Sequence, residues 1–146
     1  MSGFSLHLAE IAPAIGAQLV GADAQITGVS TDSRAVAPGD LFVAIRGENF
    51  DGHKFAEAAV ARGAAAALTS TEITGLPIPQ LVVDDTRFGY GRLAKLWRSR
   101  FNAPTLALTG SNGKTTVKEM LRGILSAHAG AAGAVLATEG NLNNDI

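Results

Sequence analysis

Apolar positions along the chain recur in two rhythms, and each rhythm predicts a different element. Leu6, Leu8, Ile11 and Ile15 are broken by His7, Glu10 and Pro13. That pattern predicts a short amphipathic helix over Ser5–Ile15, with Ser5 as its N-cap. Gln25–Ser30 and Leu41–Ile45 are short and β-like, separated by Asp32-Ser33-Arg34 and by the turn signal Pro38-Gly39-Asp40. Lys54–Arg62 returns to helix, and Gly63 stands where a left-handed C′ residue belongs. Ala64–Leu68 and Gln80–Val83 read as buried strands. Asp84-Asp85-Thr86 then supplies N-cap chemistry for a helix reaching about Arg100, with the stripe Leu93, Leu96, Trp97 and Phe101 as ordinary core.

The pattern restarts after Asn102-Ala103-Pro104. Thr105–Thr109 predicts a strand, Gly110–Gly113 a turn, and Lys114–Ala127 a helix. The helix carries Val117, Met120, Leu121, Ile124 and Leu125 at the 3.6-residue period. Ala134–Thr138 predicts a second strand. Strands alternating with helices imply an α/β fold with parallel pairing. The expected organisation is a small α/β domain over residues 1–103. The first strand–loop–helix–strand unit of a second, parallel-sheet domain follows over residues 104–146.

Composition narrows the function classes. The 146 residues are 47% hydrophobic and 17% charged, which excludes intrinsic disorder. A net charge of −1 provides no overall basic field for nucleic acid or anionic lipid. The absence of cysteine excludes a disulfide scaffold and a thiolate zinc site. Aromatic residues, at 5%, are too few for a base-stacking platform. No apolar run approaches the roughly 18–20 residues of a spanning helix, and no signal peptide is visible. A soluble, cytoplasmic protein is expected.

The strongest chemical signal is Thr109-Gly110-Ser111-Asn112-Gly113-Lys114-Thr115-Thr116, after a predicted strand and opening a predicted helix. Gly110 and Gly113 can adopt backbone angles closed to other residues. Successive N–H groups, those of Ser111 and Asn112 among them, can then line one anion-binding concavity. The helix N-terminus adds unpaired donors and partial positive charge. Lys114 supplies a full charge for β- and γ-phosphates, and the Thr115 hydroxyl is placed for Mg2+. Thr116 either contacts phosphate or caps the first turn. Leu108 stands where the longer phosphate-loop pattern has glycine, so this is the short form G-x-x-G-K-T.

A second polar cluster lies in Thr31–Arg34 and Ile45–His53. Loops at strand ends of α/β units are where ligands bind. Arg34 and Arg46 match a diphosphate, because planar guanidinium pairs with phosphate oxygens. Ser30 and Ser33 could bond a base or sugar. A purely local reading stays open: Asp32-Ser33 and Asp51-Gly52 also build turns, and His53 also caps a helix.

Together these strings resemble the Mur ligase family, the ATP-dependent amide ligases of peptidoglycan assembly. The resemblance rests on S-T-D-S-R at Ser30–Arg34, P-G-D-L-F-V-A-I-R-G at Pro38–Gly47, D-G-H-K-F at Asp51–Phe55 and T-G-S-N-G-K-T-T at Thr109–Thr116. Its members share the short phosphate loop, so Leu108 is no departure. Gly140–Ile146, G-N-L-N-N-D-I, looks like the branch that joins D-alanyl-D-alanine to UDP-MurNAc-tripeptide. The resemblance implies a first domain that binds the UDP part of the substrate and the start of a central domain that binds ATP. The chain would then be the opening third of a three-domain enzyme, inactive alone. It implies UDP-side contacts at Ser30, Ser33, Arg34, Arg46 and Gly47. ATP and Mg2+ would sit at Gly110–Thr116, and Asn141, Asn143 and Asn144 near the ATP and the substrate carboxylate. A monomer is expected. The alternatives are the sister branch that adds the third amino acid, or a non-catalytic UDP-sugar or nucleotide-binding module.

Overall fold

The computed structural model describes residues 3–47, 51–130 and 135–138. It divides into two compact units, Met1–Asn102 and Ala103–Ile146. In the first unit β1 (Leu6–His7), α1 (Leu8–Ile15), β2 (Gln18–Val20), β3 (Gln25–Ile26), β4 (Gly28–Ser30) and β5 (Asp40–Val43) come first. A 3-10 turn (Gly52–Phe55) then leads into α2 (Ala56–Ala61), followed by β6 (Ala66–Thr69), β7 (Gln80–Val82) and α3 (Thr86–Arg98). Strands β1 and β3 form a small antiparallel ribbon. The others form one sheet in the order β2-β7-β6-β5-β4, parallel from β7 to β4, with β2 antiparallel at one edge.

The period of two in Leu41–Ala44 decides how the sheet is covered. Leu41 and Val43 face a core completed by Leu8, Ile11 and Ile15 of α1 and Leu93 of α3. Phe42 and Ala44 face the opposite core, with Ala56 and Ala59 of α2, Val36 and Ala64. Both faces of a parallel sheet need such cover, and the alternation provides it. The weakest strand signal in the sequence, the alanine run at 64–68, becomes β6, with all four residues buried. Two glycines tie the α2 end to the turn before β5. Gly39 and Gly63 have φ of +91° and +97°, and the Gly39 N–H donates to the Gly63 carbonyl at 2.9 Å. Gly63 stands where the sequence places it, just past α2, in a conformation that costs other residues backbone strain.

Three local expectations change. The first helix begins at Leu8, because Leu6 and His7 pair with Ile26 and Gln25. Its first-turn N–H at Ala9 is satisfied by Asp23 Oδ1 at 2.9 Å, while Ser5 Oγ accepts from Gln25 Nε2 instead. The segment Gln25–Ser30 is not one strand: it divides at Thr27 between the ribbon and the main sheet, and the Thr27 N–H goes to the Gly39 carbonyl. Strand β2, only three residues long, is an addition to the expected set.

In the second unit α4 spans Lys114–Ala129, two residues beyond the expected end, and Gly130 closes it at φ +64°. Thr105–Thr109 does not form the expected strand. The segment carries no regular secondary structure, and Leu106 is 63% exposed. A strand is completed by a partner's ladder rather than by its own propensity. Residues 135–138 of the expected second strand carry no regular structure, and Ala134 lies outside the described residues. Among the described residues no helix is long and apolar enough to cross a membrane.

Candidate functional site

Parallel pairing places the ends of β4, β5, β6 and β7 along one edge of the sheet. The loops leaving that edge carry the polar strings singled out in the sequence. Just after β4, Ser30 Oγ donates to the Asp32 carbonyl at 2.9 Å. Asp32 then turns on Arg34: Oδ1 accepts from the Arg34 backbone N–H (2.9 Å) and Nε (3.0 Å), and Oδ2 from Nη2 (2.8 Å). The Arg34 hydrogen bonds hold the Asp32 carboxyl at about 2, well below the usual range. Asp32 therefore builds the turn and also fixes the inner edge of the guanidinium. Arg34 is gripped at its inner edge and remains 89% exposed along its side chain. Ser33, half-buried, lies inside the same turn.

The sign of the Asp32 shift makes a pH prediction. A carboxyl with a folded pKa near 2 and an ordinary value of 3.8 adds stability that is complete above about pH 4. That contribution fades as pH falls toward 2. An NMR titration of the Asp32 carboxyl should therefore show its midpoint near 2, and Arg34→Ala should return it toward 3.8. A wild-type midpoint near 3.8 would mean that the pair does not hold in solution.

Beyond β5 the chain passes Arg46 and Gly47, both exposed, and returns through Asp51, which bridges back to Arg46 in antiparallel pairing. The neck is tight. The Gly52 N–H donates to the Ile45 carbonyl at 2.8 Å, and a Cβ at Gly52 would stand 2.7 Å from that same oxygen. His53 joins this neck to the next strand. Its Nδ1 lies 2.7 Å from Asp51 Oδ1, and its Nε2 accepts the Ser70 N–H at 2.9 Å, just past β6. A backbone N–H can only donate, so Nε2 accepts and Nδ1 carries the proton to Asp51. Bonds from His53 hold the Asp51 carboxyl below its ordinary value. Along the sequence His53 offers only a helix cap. Its partner Ser70 is 17 residues away, and nothing local signals the pair.

In the second unit the glycine-rich turn meets α4 as the sequence requires. Gly110 and Gly113 have φ of +141° and +79°. Gly113 is the N-cap of α4 and, as glycine, brings no side chain to cap that end. Lys114, half-buried, folds its Nζ back onto the Gly110 carbonyl. The contrast with α3 is direct: there the Asp85 carboxylate takes the N–H groups of Arg87 (2.7 Å) and Phe88 (3.1 Å). One helix start is closed by its own carboxylate. The other presents Lys114, Thr115 and Thr116 behind two glycines, a donor set that fits the oxygens of a phosphate chain. Ser111 and Asn112 are exposed in that turn. Asn141, Asn143 and Asn144 lie outside the described residues. Among the described residues no cluster of three or more His, Cys, Asp or Glu could hold a metal ion.

The fold and the loop define an α/β protein with a glycine-lysine-threonine turn at a helix N-terminus. The model of the Mur ligase family, catalytic domain, matches residues 25–85, and that of the Mur ligase middle domain matches residues 108–146. The chain belongs to the Mur ligase family. It is 47% identical over 142 residues to the UDP-N-acetylmuramoyl-tripeptide–D-alanyl-D-alanine ligase of Escherichia coli, covering 97% of this chain and 30% of that protein. A crystal structure of MurF from Acinetobacter baumannii superposes with a TM-score of 0.86 at 39% identity, covering 99% of this chain and 32% of that one. MurF ligase from Thermotoga maritima, solved in complex with ADP, gives 0.62 at 32% identity over 68% of this chain and 23% of its own. The chain thus spans about 30% of the length of the curated relatives it matches.

Proposed function

We propose that this chain is the substrate- and ATP-gripping part of a cytoplasmic, monomeric ligase that joins D-alanyl-D-alanine to UDP-MurNAc-tripeptide. The observation that carries the reading is the α4 start: two positive-φ glycines, one of them the N-cap, and Lys114 beside the turn. It is supported by the 97% coverage of this chain in its match to the E. coli ligase. Residues 1–103 form the UDP-side domain, and residues 104–146 begin the ATP domain. Ser30, Ser33, Arg34, Arg46 and Gly47 hold the UDP part. Arg34, aimed by Asp32, presents its outer edge to the diphosphate. Gly110–Thr116 cradle ATP, and Asn141, Asn143 and Asn144 orient ATP or the substrate carboxylate.

The proposed reaction moves the γ-phosphoryl group of ATP to the terminal carboxylate of the tripeptide and leaves ADP. The amine of the dipeptide then attacks the acyl carbon, and phosphate departs as the amide forms. Such transfers depend on positioning and charge neutralisation. Lys114 provides a cation to β- and γ-oxygens, and the backbone donors of the turn bind them without rearrangement. Mg2+ held at the Thr115 hydroxyl would neutralise the same oxygens.

A coupled assay on the complete gene product tests the reading. ADP and phosphate should appear only with ATP, UDP-MurNAc-tripeptide and D-alanyl-D-alanine all present. Turnover with diaminopimelate or L-lysine in place of the dipeptide would move the protein to the sister branch. Nucleotide binding with no turnover on any amine would leave a binding module.

A further inference from the structure

We propose that His53 is a positioning residue that sets Arg46 for the UDP-linked substrate. The inference rests on reading the Arg46–Gly47 loop as part of the substrate grip. The geometry is a relay of three contacts. The end of β6 holds the imidazole through the Ser70 N–H. The imidazole holds Asp51 through Nδ1, and the Asp51 carboxylate also takes the His53 N–H at 3.1 Å. The backbone of Asp51 pairs with that of Arg46. Arg46 is exposed, and a long exposed side chain samples many rotamers. Fixing the backbone beneath it narrows where its guanidinium can go, which lowers the ordering cost of binding.

His53 suits this task because it is enclosed and faces two ways. Its side chain is 13% exposed, against 33% for Asp51. One ring nitrogen accepts from a neighbouring strand and the other donates to the loop. A purely local cap would need only the Asp51 contact. The reach to Ser70 ties the loop to the end of β6, the central strand of the sheet. The charged groups in this relay are Asp51, which faces the ring, and Arg46, whose charge acts on Asp51.

The test is steady-state kinetics of the complete gene product with UDP-MurNAc-tripeptide varied. Single substitutions and their combination are compared, with melting temperatures alongside. His53→Ala should raise KM for the UDP substrate about tenfold with kcat within about twofold. His53→Gln, whose amide oxygen can still accept the Ser70 N–H, should recover most of the loss. Arg46→Ala should itself raise KM, and His53→Ala added to it should raise KM by less than about twofold more, since both act through one contact. His53→Leu, similar in size and lacking an acceptor, takes the place of alanine if that variant does not fold. A normal KM in the histidine variants, or equal effects with and without Arg46, overturns the positioning role while leaving the substrate reading intact. Arg46→Ala with an unchanged KM overturns the substrate reading of the loop, and the proposal falls with it.

Discussion

Lys114→Ala in the complete gene product should lower kcat by about 100- to 1,000-fold, the usual effect of removing one preorganised charge from a developing anion. Its position at the α4 start, with Nζ against the Gly110 carbonyl, holds that charge at the turn. The KM for the UDP substrate should stay within about twofold, because that ligand is assigned to the other unit. ADP release in a coupled assay and KM from the same progress curves check both halves. Lys114→Arg should not restore full activity: its wide planar head does not fit a turn shaped for a compact ammonium group. Near-normal turnover of the alanine variant would remove Lys114 from phosphate binding.

The second large effect is on stability. Phe42→Ala should destabilise the first unit by about 3–5 kcal/mol. The reason lies in its neighbours. The buried core on the α2 face is Val36, Phe42, Ala44, Ala56, Ala59 and Ala64, with the half-buried Ile73, Leu76 and Ile78 packed against it, so Phe42 is the one large side chain among its fully buried members. The alanines have no rotamers with which to close a cavity, so relief would have to come from the half-buried rim or from backbone movement. Phe42 is 1% exposed, so little of the loss is relieved by solvent. Urea unfolding followed by circular dichroism would measure it. Phe42→Leu should cost much less, since it keeps most of the volume. Equal stability of Phe42→Ala and the wild type would show that this face is not packed as described.

Those two residues also mark what a sequence conveys and what it withholds. The α/β alternation, the Asp85 cap, the Gly63 terminus and the Gly110–Gly113 turn are local chemistry, and each is where reading along the chain puts it. The alanine run, a poor strand former by propensity, is the centre of the sheet as β6, where small residues let layers approach from both sides. Strands of two and three residues, β1 and β2, carry almost no signal of their own and exist through their partners. Thr105–Thr109 errs the other way, strong in propensity yet without regular secondary structure. At the candidate site the arginines and the glycine-lysine turn were legible as residue types. The Asp32 grip on Arg34 needed side-chain geometry, and the link from His53 to Ser70 needed the sheet order.

The carboxylate of Asp23 at the start of α1 has a further consequence, for the order of events in folding. An isolated eight-residue helix is unstable in water, because nucleation fixes several residues for one hydrogen bond. Here the donor at Ala9 waits for an acceptor 14 residues later, brought back by the ribbon that pairs Leu6 with Ile26. The amino-terminal helix is therefore a poor seed on its own. It is expected to consolidate together with the loop that closes behind it, and φ-values near zero for α1 substitutions would show this.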